Sequence, residues 1–153
     1  MNRLHPRVRV VWGAQAAVTA VVVGLVVFAV SRFALALPVW APVAAFAVFL
    51  VGGVGLALAR YRVWRYEVRD DALYLERGVF TRVRTVVPFV RIQHVDSSRG
   101  PVERLAGLAS TVVYTAGSRG ADVTVPGLTP DGADGLRERL KRLAIRAEGE
   151  DAV

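Results

Sequence analysis

The pattern of apolar and polar positions changes character once, near residue 60. Val11 to Val30 reads VWGAQAAVTAVVVGLVVFAV, twenty residues without a charge. A helix of that length crosses roughly 30 Å of hydrocarbon. Ser31 and Arg32 interrupt the run, and Phe33 to Ala59 is again uncharged, with Pro38 and Pro42 near its start. The pattern predicts two membrane spans, at about 11–30 and 40–59, joined by the short connection SRFALALP. Helices buried in a soluble protein should show a polar face, and neither run has one. A cleaved signal peptide has an apolar core of only about 7–15 residues, and here a second full-length run follows. Within the second run, GGVG at Gly52 to Gly55 offers a small-residue surface for close helix contact.

From Tyr61 the period becomes two. In YRVWRYEVRD, Trp64, Tyr66 and Val68 are expected on one strand face, with Arg65, Glu67 and Arg69 on the other. Asp70 and Asp71 supply a turn, ALYLER alternates again with Leu73 and Leu75 inward, and Gly78 closes a second turn. VFTRVRTVVP and VRIQHVDSS continue the pattern, the latter ending at Arg99-Gly100-Pro101, and PVERLAGL is compatible with one helical turn. ASTVVYTAG and ADVTVPGL are two strands joined by the glycine-rich hairpin signal GSRG. Six or seven short strands at such spacing predict a barrel or sandwich. The chain then closes with a helix. Ala133, Leu136, Leu140 and Leu143 fall at helical spacing, with Thr129 or Asp131 as N-cap and Pro130 in the first turn. Its apolar stripe is suited to plug the open end of a curled sheet. The final residues, EGEDAV, are polar and expected to fray.

The fold class is therefore α+β: a transmembrane hairpin over 1–60, a strand-rich domain over 61–147 and a disordered tail over 148–153. The 153 residues suffice for one compact domain. A 54% hydrophobic fraction agrees with part of the chain lying in lipid. Cysteine is absent, which excludes disulfides, thiolate nucleophiles and cysteine metal sites. His5 and His94 share no metal-ligand spacing, and no phosphate-binding loop or paired-carboxylate motif occurs. No metal and no cofactor is expected.

Charge adds direction. The net charge is +7, yet Met1 to Arg60 holds five arginines and no acid, whereas Tyr61 to Val153 holds 15 basic and 13 acidic residues. The near balance of the second part argues against a nucleic-acid partner. Arg3, Arg7 and Arg9 precede the first span, Arg60, Arg62 and Arg65 follow the second, and only Arg32 lies between. The positive-inside rule then places both termini and the domain in the cytoplasm of a multi-pass cell-membrane protein. Trp12 and Trp40 sit near span ends, where indoles favour the interface.

The order of two spans, YRVWRYEV, LYLERGVFTRVRTVVPFVRIQHVD, GPVERLAGLASTVVYTAG, VPGL and a helix resembles the bacterial pleckstrin-homology-like (PH) domain family, in its YdbS-like membrane proteins. The resemblance covers nearly the whole chain. It is carried most by Pro88, Arg91 to Asp96, Gly100, Glu103 to Ala109 and Thr115 to Gly117. It implies a PH-like split β-barrel of two curved sheets capped by a C-terminal helix. It brings no catalytic residues, and the shared fold does not transfer phosphoinositide binding.

Three groups of side chains are candidates for function. His94, Asp96 and Ser97 have the residue types of a hydrolase triad, but triads are assembled from residues distant in sequence, and three positions on one strand point to alternate faces. The plainer expectation places Ile92 and His94 on one face and Arg91, Gln93 and Val95 on the other. Arg82, Arg84 and Arg91 could cradle a phosphate, although arginines alternating along strands fit an exposed face with partners such as Glu67 or Glu76. Arg60, Arg62 and Arg65 are the stronger lipid-contacting residues. They follow a span directly, where each cation gains about 1 kcal/mol from anionic headgroups. The sequence thus predicts a non-enzymatic, membrane-anchored module. Its expected work is protein–protein assembly with other membrane proteins or homologous subunits, the alternative being binding of anionic lipid headgroups.

Overall fold

The computed structural model describes residues 1–117 and 121–152. The expected GSRG hairpin, Gly117 to Gly120, lies largely outside the described residues. The chain packs as two compact units, Arg9–Arg62 and Met1–Val8 with the chain from Val63 onward.

The first unit is built on two helices, α1 (Val8–Phe33) and α2 (Ala41–Val63), of 26 and 23 residues. At 1.5 Å per residue they are about 39 and 34 Å long, more than a bilayer core requires. Each extends a few residues beyond its uncharged run, because arginine is a good helix former and an exposed last turn costs it nothing. Small residues let the two helices touch. A Cβ on Gly53 would come within 2.8 Å of the Ala16 Cβ, and one on Gly24 within 3.2 Å of the Phe46 Cβ. The opposite surfaces are apolar and uncovered: Val10, Val43 and Val51 are 71%, 69% and 74% exposed. Apolar helical surface on that scale needs lipid or protein to cover it.

The second unit carries two antiparallel sheets. The first has the order β1 (Asn2–Arg3), β2 (Arg65–Val68), β3 (Ala72–Arg77), β4 (Val83–Pro88). A 3-10 turn, Phe89–Arg91, leads into the second sheet, of order β5 (Ile92–Ser98), β6 (Ala109–Thr115), β7 (Val123–Leu128). A short helix, α3 (Pro101–Ala106), joins β5 to β6, and α4 (Pro130–Asp151) ends the described chain. The two sheets are hydrogen-bonded internally and separate from each other, which is the expected split arrangement. Leu73 and Leu75 of β3 point inward as their alternation predicts, joined in the core by Val113, Val125 and Leu108. Helix α4 starts where predicted: the Thr129 hydroxyl accepts the Gly132 N–H at 3.0 Å, and Pro130 occupies the first turn. Ala133, Leu136 and Leu140 form its buried stripe, Leu143 is half-buried, and the buried Thr111 hydroxyl donates to the Ala133 carbonyl at 3.1 Å.

Four expectations are revised. Residues 61–63 continue α2 instead of opening a strand, so β2 begins at Arg65. Met1–Val8 belongs with the β-rich unit, where β1 pairs with β2 through Asn2↔Tyr66 and Arg3↔Arg65. Residues 148–151 extend α4 rather than forming a tail. In β5 the register shifts between Ile92 and His94, so Gln93 and His94 are both exposed while Ile92 and Val95 are half-buried. A bulge inserts one residue and reverses the parity of the strand beyond it.

Candidate functional site

The side chains with the residue types of a triad are not brought together. His94 stacks on the Tyr114 ring at 4.2 Å, and its Nε2 lies 3.9 Å from Asp96 Oδ2, beyond hydrogen-bond reach. Ser97 turns to α4 instead, where its hydroxyl donates to Asp134 Oδ1 at 2.7 Å. Among the described residues no group of three or more His, Asp or Glu is placed to hold a metal.

Nor do Arg82, Arg84 and Arg91 act as one cradle. Arg84 faces Glu76 directly across β3 and β4 and pairs with it at 2.6 Å, the cross-strand partner anticipated from sequence. Arg82 is exposed ahead of β4, and Arg91 is exposed in the 3-10 turn. Arg69 is held by Glu67 at 2.9 Å and lies 4.4 Å from the Tyr74 ring centre, and the Glu67 hydrogen bond raises its already high pKa. Burial raises the pKa of the Tyr66 phenol.

Arg60 and Arg62 are exposed in the last turn of α2, where cations complement the helix C-terminus. Arg65 is half-buried at the start of β2. Arg60 is the most constrained of the three: its guanidinium lies 4.2 Å above the Trp12 ring. Arg9 lies in the same way 5.0 Å from the Tyr61 ring centre, so two cation–π pairs join the start of α1 to the end of α2. Beneath Arg60 and Trp12 runs a groove of about 480 Å³ between the helices, floored by Ala16, Gly52 and Gly53 and reaching Val48.

A second, larger groove of about 830 Å³ lies in the β-rich unit between β5 and the C-terminal half of α4. β5 is an edge strand, so one row of its backbone groups has no strand partner. The groove is rimmed by Val90, 49% exposed, Ile145, 61% exposed, and the charged Arg91 and Lys141. Sequence reasoning missed both grooves and the Arg60–Trp12 pair. Trp12 and Arg60 were each legible as interfacial residues, but nothing local signals that they meet.

Residues 8–144 match the family model described as Bacterial PH domain. The chain is 34% identical over 149 residues to UPF0699 transmembrane protein YdbS of Bacillus subtilis (strain 168), covering 94% of this chain and 92% of that one. It is 26% identical over 108 residues to UPF0699 transmembrane protein YdbT of the same organism, covering 69% of this chain and 22% of that one. No solved structure matches the chain.

Proposed function

The chain belongs to the bacterial PH domain family, and we propose that this membrane-associated module is non-enzymatic and mediates protein–protein assembly at the cytoplasmic membrane face. In this proposal the hairpin anchors the protein, and the β-rich unit, with both termini in the cytoplasm, does the binding. The observation that carries the proposal is the β5–α4 groove. It offers an unpaired strand edge, which an extended segment of another protein can extend by main-chain hydrogen bonds. Exposed Val90 and Ile145 supply apolar contacts beside it. The arginine asymmetry around the two spans supports the cytoplasmic orientation. The test is affinity purification of the full chain from native membranes beside the variant Val90→Glu/Ile145→Glu. Both positions are exposed, so folding should survive. Partners retained by the wild type and lost by the variant support the proposal, and an unchanged partner set refutes it.

A second proposal is attraction of anionic headgroups to Arg60, Arg62 and Arg65. It is favoured by the exposure of Arg60 and Arg62 on a helix end adjoining a span. Such attraction is screened, over about 10 Å at 0.1 M salt. Energy transfer from the tryptophans to a labelled anionic lipid, in bilayers containing the full chain, should fall as salt rises. It should fall further in Arg62→Gln/Arg65→Gln, whereas Arg82→Gln/Arg91→Gln should leave it unchanged. Transfer that ignores salt would sink this proposal.

A further inference from the structure

The groove between α1 and α2 has three properties that together describe an occupant. Its mouth is cationic, its upper wall carries one free amide, and its floor is apolar. At the mouth, Arg60 lies over Trp12 and makes no hydrogen bond or ion pair with any described residue. The cation–π contact holds the guanidinium at the indole and leaves its N–H donors available, and a guanidinium with free donors suits bidentate recognition of a phosphate. Gln15 follows Trp12 by three residues, about 4.5 Å further along the helix axis. Its side-chain amide lines the groove, is exposed and has no hydrogen-bond partner among the described residues. From Arg60 to Val48 the groove follows α2 for twelve residues, about 18 Å. That is close to one leaflet, half of the roughly 30 Å hydrocarbon core.

We propose that this groove binds one anionic glycerophospholipid, with its phosphate at Arg60, an ester carbonyl at Gln15 and an acyl chain along Gly52. Phosphate, ester and hydrocarbon follow one another in such a lipid in the order in which cation, amide and apolar floor follow one another here. The positive mouth selects a negative headgroup. A second transmembrane helix fits less well. The small-xxx-small pair that lines the groove, Gly53 and Ala57, is already used between α1 and α2, since Gly53 packs on Ala16 and Ala57 is buried, while the exposed Gly52 is followed one turn later by the bulkier Leu56. The site goes beyond the assembly proposal and does not rest on it, because Val90 and Ile145 lie in the other unit. It also differs from diffuse attraction to the juxtamembrane arginines, because it is a single saturable site that depends on the shape of the groove.

Gly52 gives the test. A Cβ built there meets nothing within 4 Å, so a side chain can be added at Gly52, and Gly52→Leu places its bulk in the groove. Gly55 has equally open surroundings and does not line the groove, which makes Gly55→Leu the matched control. The full chain in mild detergent is titrated with phosphatidylglycerol or phosphatidylcholine and followed by native mass spectrometry and thermal unfolding. The wild type and Gly55→Leu should retain one phosphatidylglycerol per chain and unfold at higher temperature with it. Gly52→Leu and Arg60→Gln should each lower retention about tenfold or more, as loss of a charge-assisted contact or of its packing surface would. Circular dichroism confirms that each variant is folded, and Arg60→Gln tests the site even where Gly52→Leu is not. Equal retention by wild type and Arg60→Gln overturns the proposal, as does equal binding of phosphatidylcholine. A two-chain species abolished by Gly52→Leu, with no lipid bound, overturns it in favour of a second copy in the groove.

Discussion

The backbone N–H of His5 donates to the carbonyl of Gly127 at 2.6 Å, tying the start of the chain to the last strand of the β-rich unit. Leu4 and Val8, on either side, are 2% and 3% exposed. Gly127 has a φ of 65°, and a Cβ there would stand 2.9 Å from Val8 Cγ2 and 3.2 Å from Leu4 Cβ. The chain therefore enters the domain, leaves it through α1 and α2, and returns. A fragment beginning at Tyr61 would lack β1 and Leu4.

Gly127→Ala should destabilise the β-rich unit by about 2 kcal/mol or more, since alanine is disfavoured at positive φ and also meets Val8. Leu4→Ala should cost about 2–5 kcal/mol by leaving a cavity. Both are read as a lower unfolding midpoint of the full chain in detergent. A midpoint unmoved by either change would show that the N-terminal segment is not docked.

Leu140 is 0% exposed and Ile145 is 61% exposed on the same helix. Leu140→Asp should cost several kcal/mol, because it places a carboxylate among apolar side chains with no partner. Ile145→Asp should stay within about 0.5 kcal/mol. Similar effects of the two substitutions would mean that α4 does not present the Ala133, Leu136, Leu140 stripe to the core.

Arginine placement predicts the topology. A reporter fused after the last residue should behave as cytoplasmic, and one inserted beside Phe33 as external. The reverse pattern would exclude the proposed orientation and with it the cytoplasmic site of assembly.

Burial raises the Tyr66 phenol above its ordinary pKa of 10.0, so the fold favours the neutral form. This contribution is fully present below pH 10.0 and is lost as pH rises through the higher folded value. Alkaline titration of unfolding stability should show a decline in that window, and Tyr66→Phe should reduce it. If the slope is the same in both proteins, Tyr66 is not the group responsible.

Much of this molecule follows from local pattern. Two uncharged runs of spanning length dictate α1 and α2, because an unbroken apolar stretch has no polar face to give to water. Alternation fixes Leu73 and Leu75 inward, and the Thr129 cap with a stripe at Ala133, Leu136 and Leu140 fixes α4. These signals are intrinsic to a few consecutive residues. The Arg84–Glu76 pair was also within reach, since a hairpin register follows from two neighbouring strands.

Tertiary structure alone decided the rest. Asn2 and Arg3 form a strand only because β2 offers them an edge, and two residues carry no periodicity of their own. The bulge at Gln93 reverses the faces of β5 through its pairing with β6, a relation that no single strand encodes. Trp12 and Arg60 meet because α1 and α2 pack antiparallel in one register, set by the glycine and alanine contacts between them. Sequence specifies what each segment can bury, whereas contacts between distant segments depend on register, and register is a property of the packed pair.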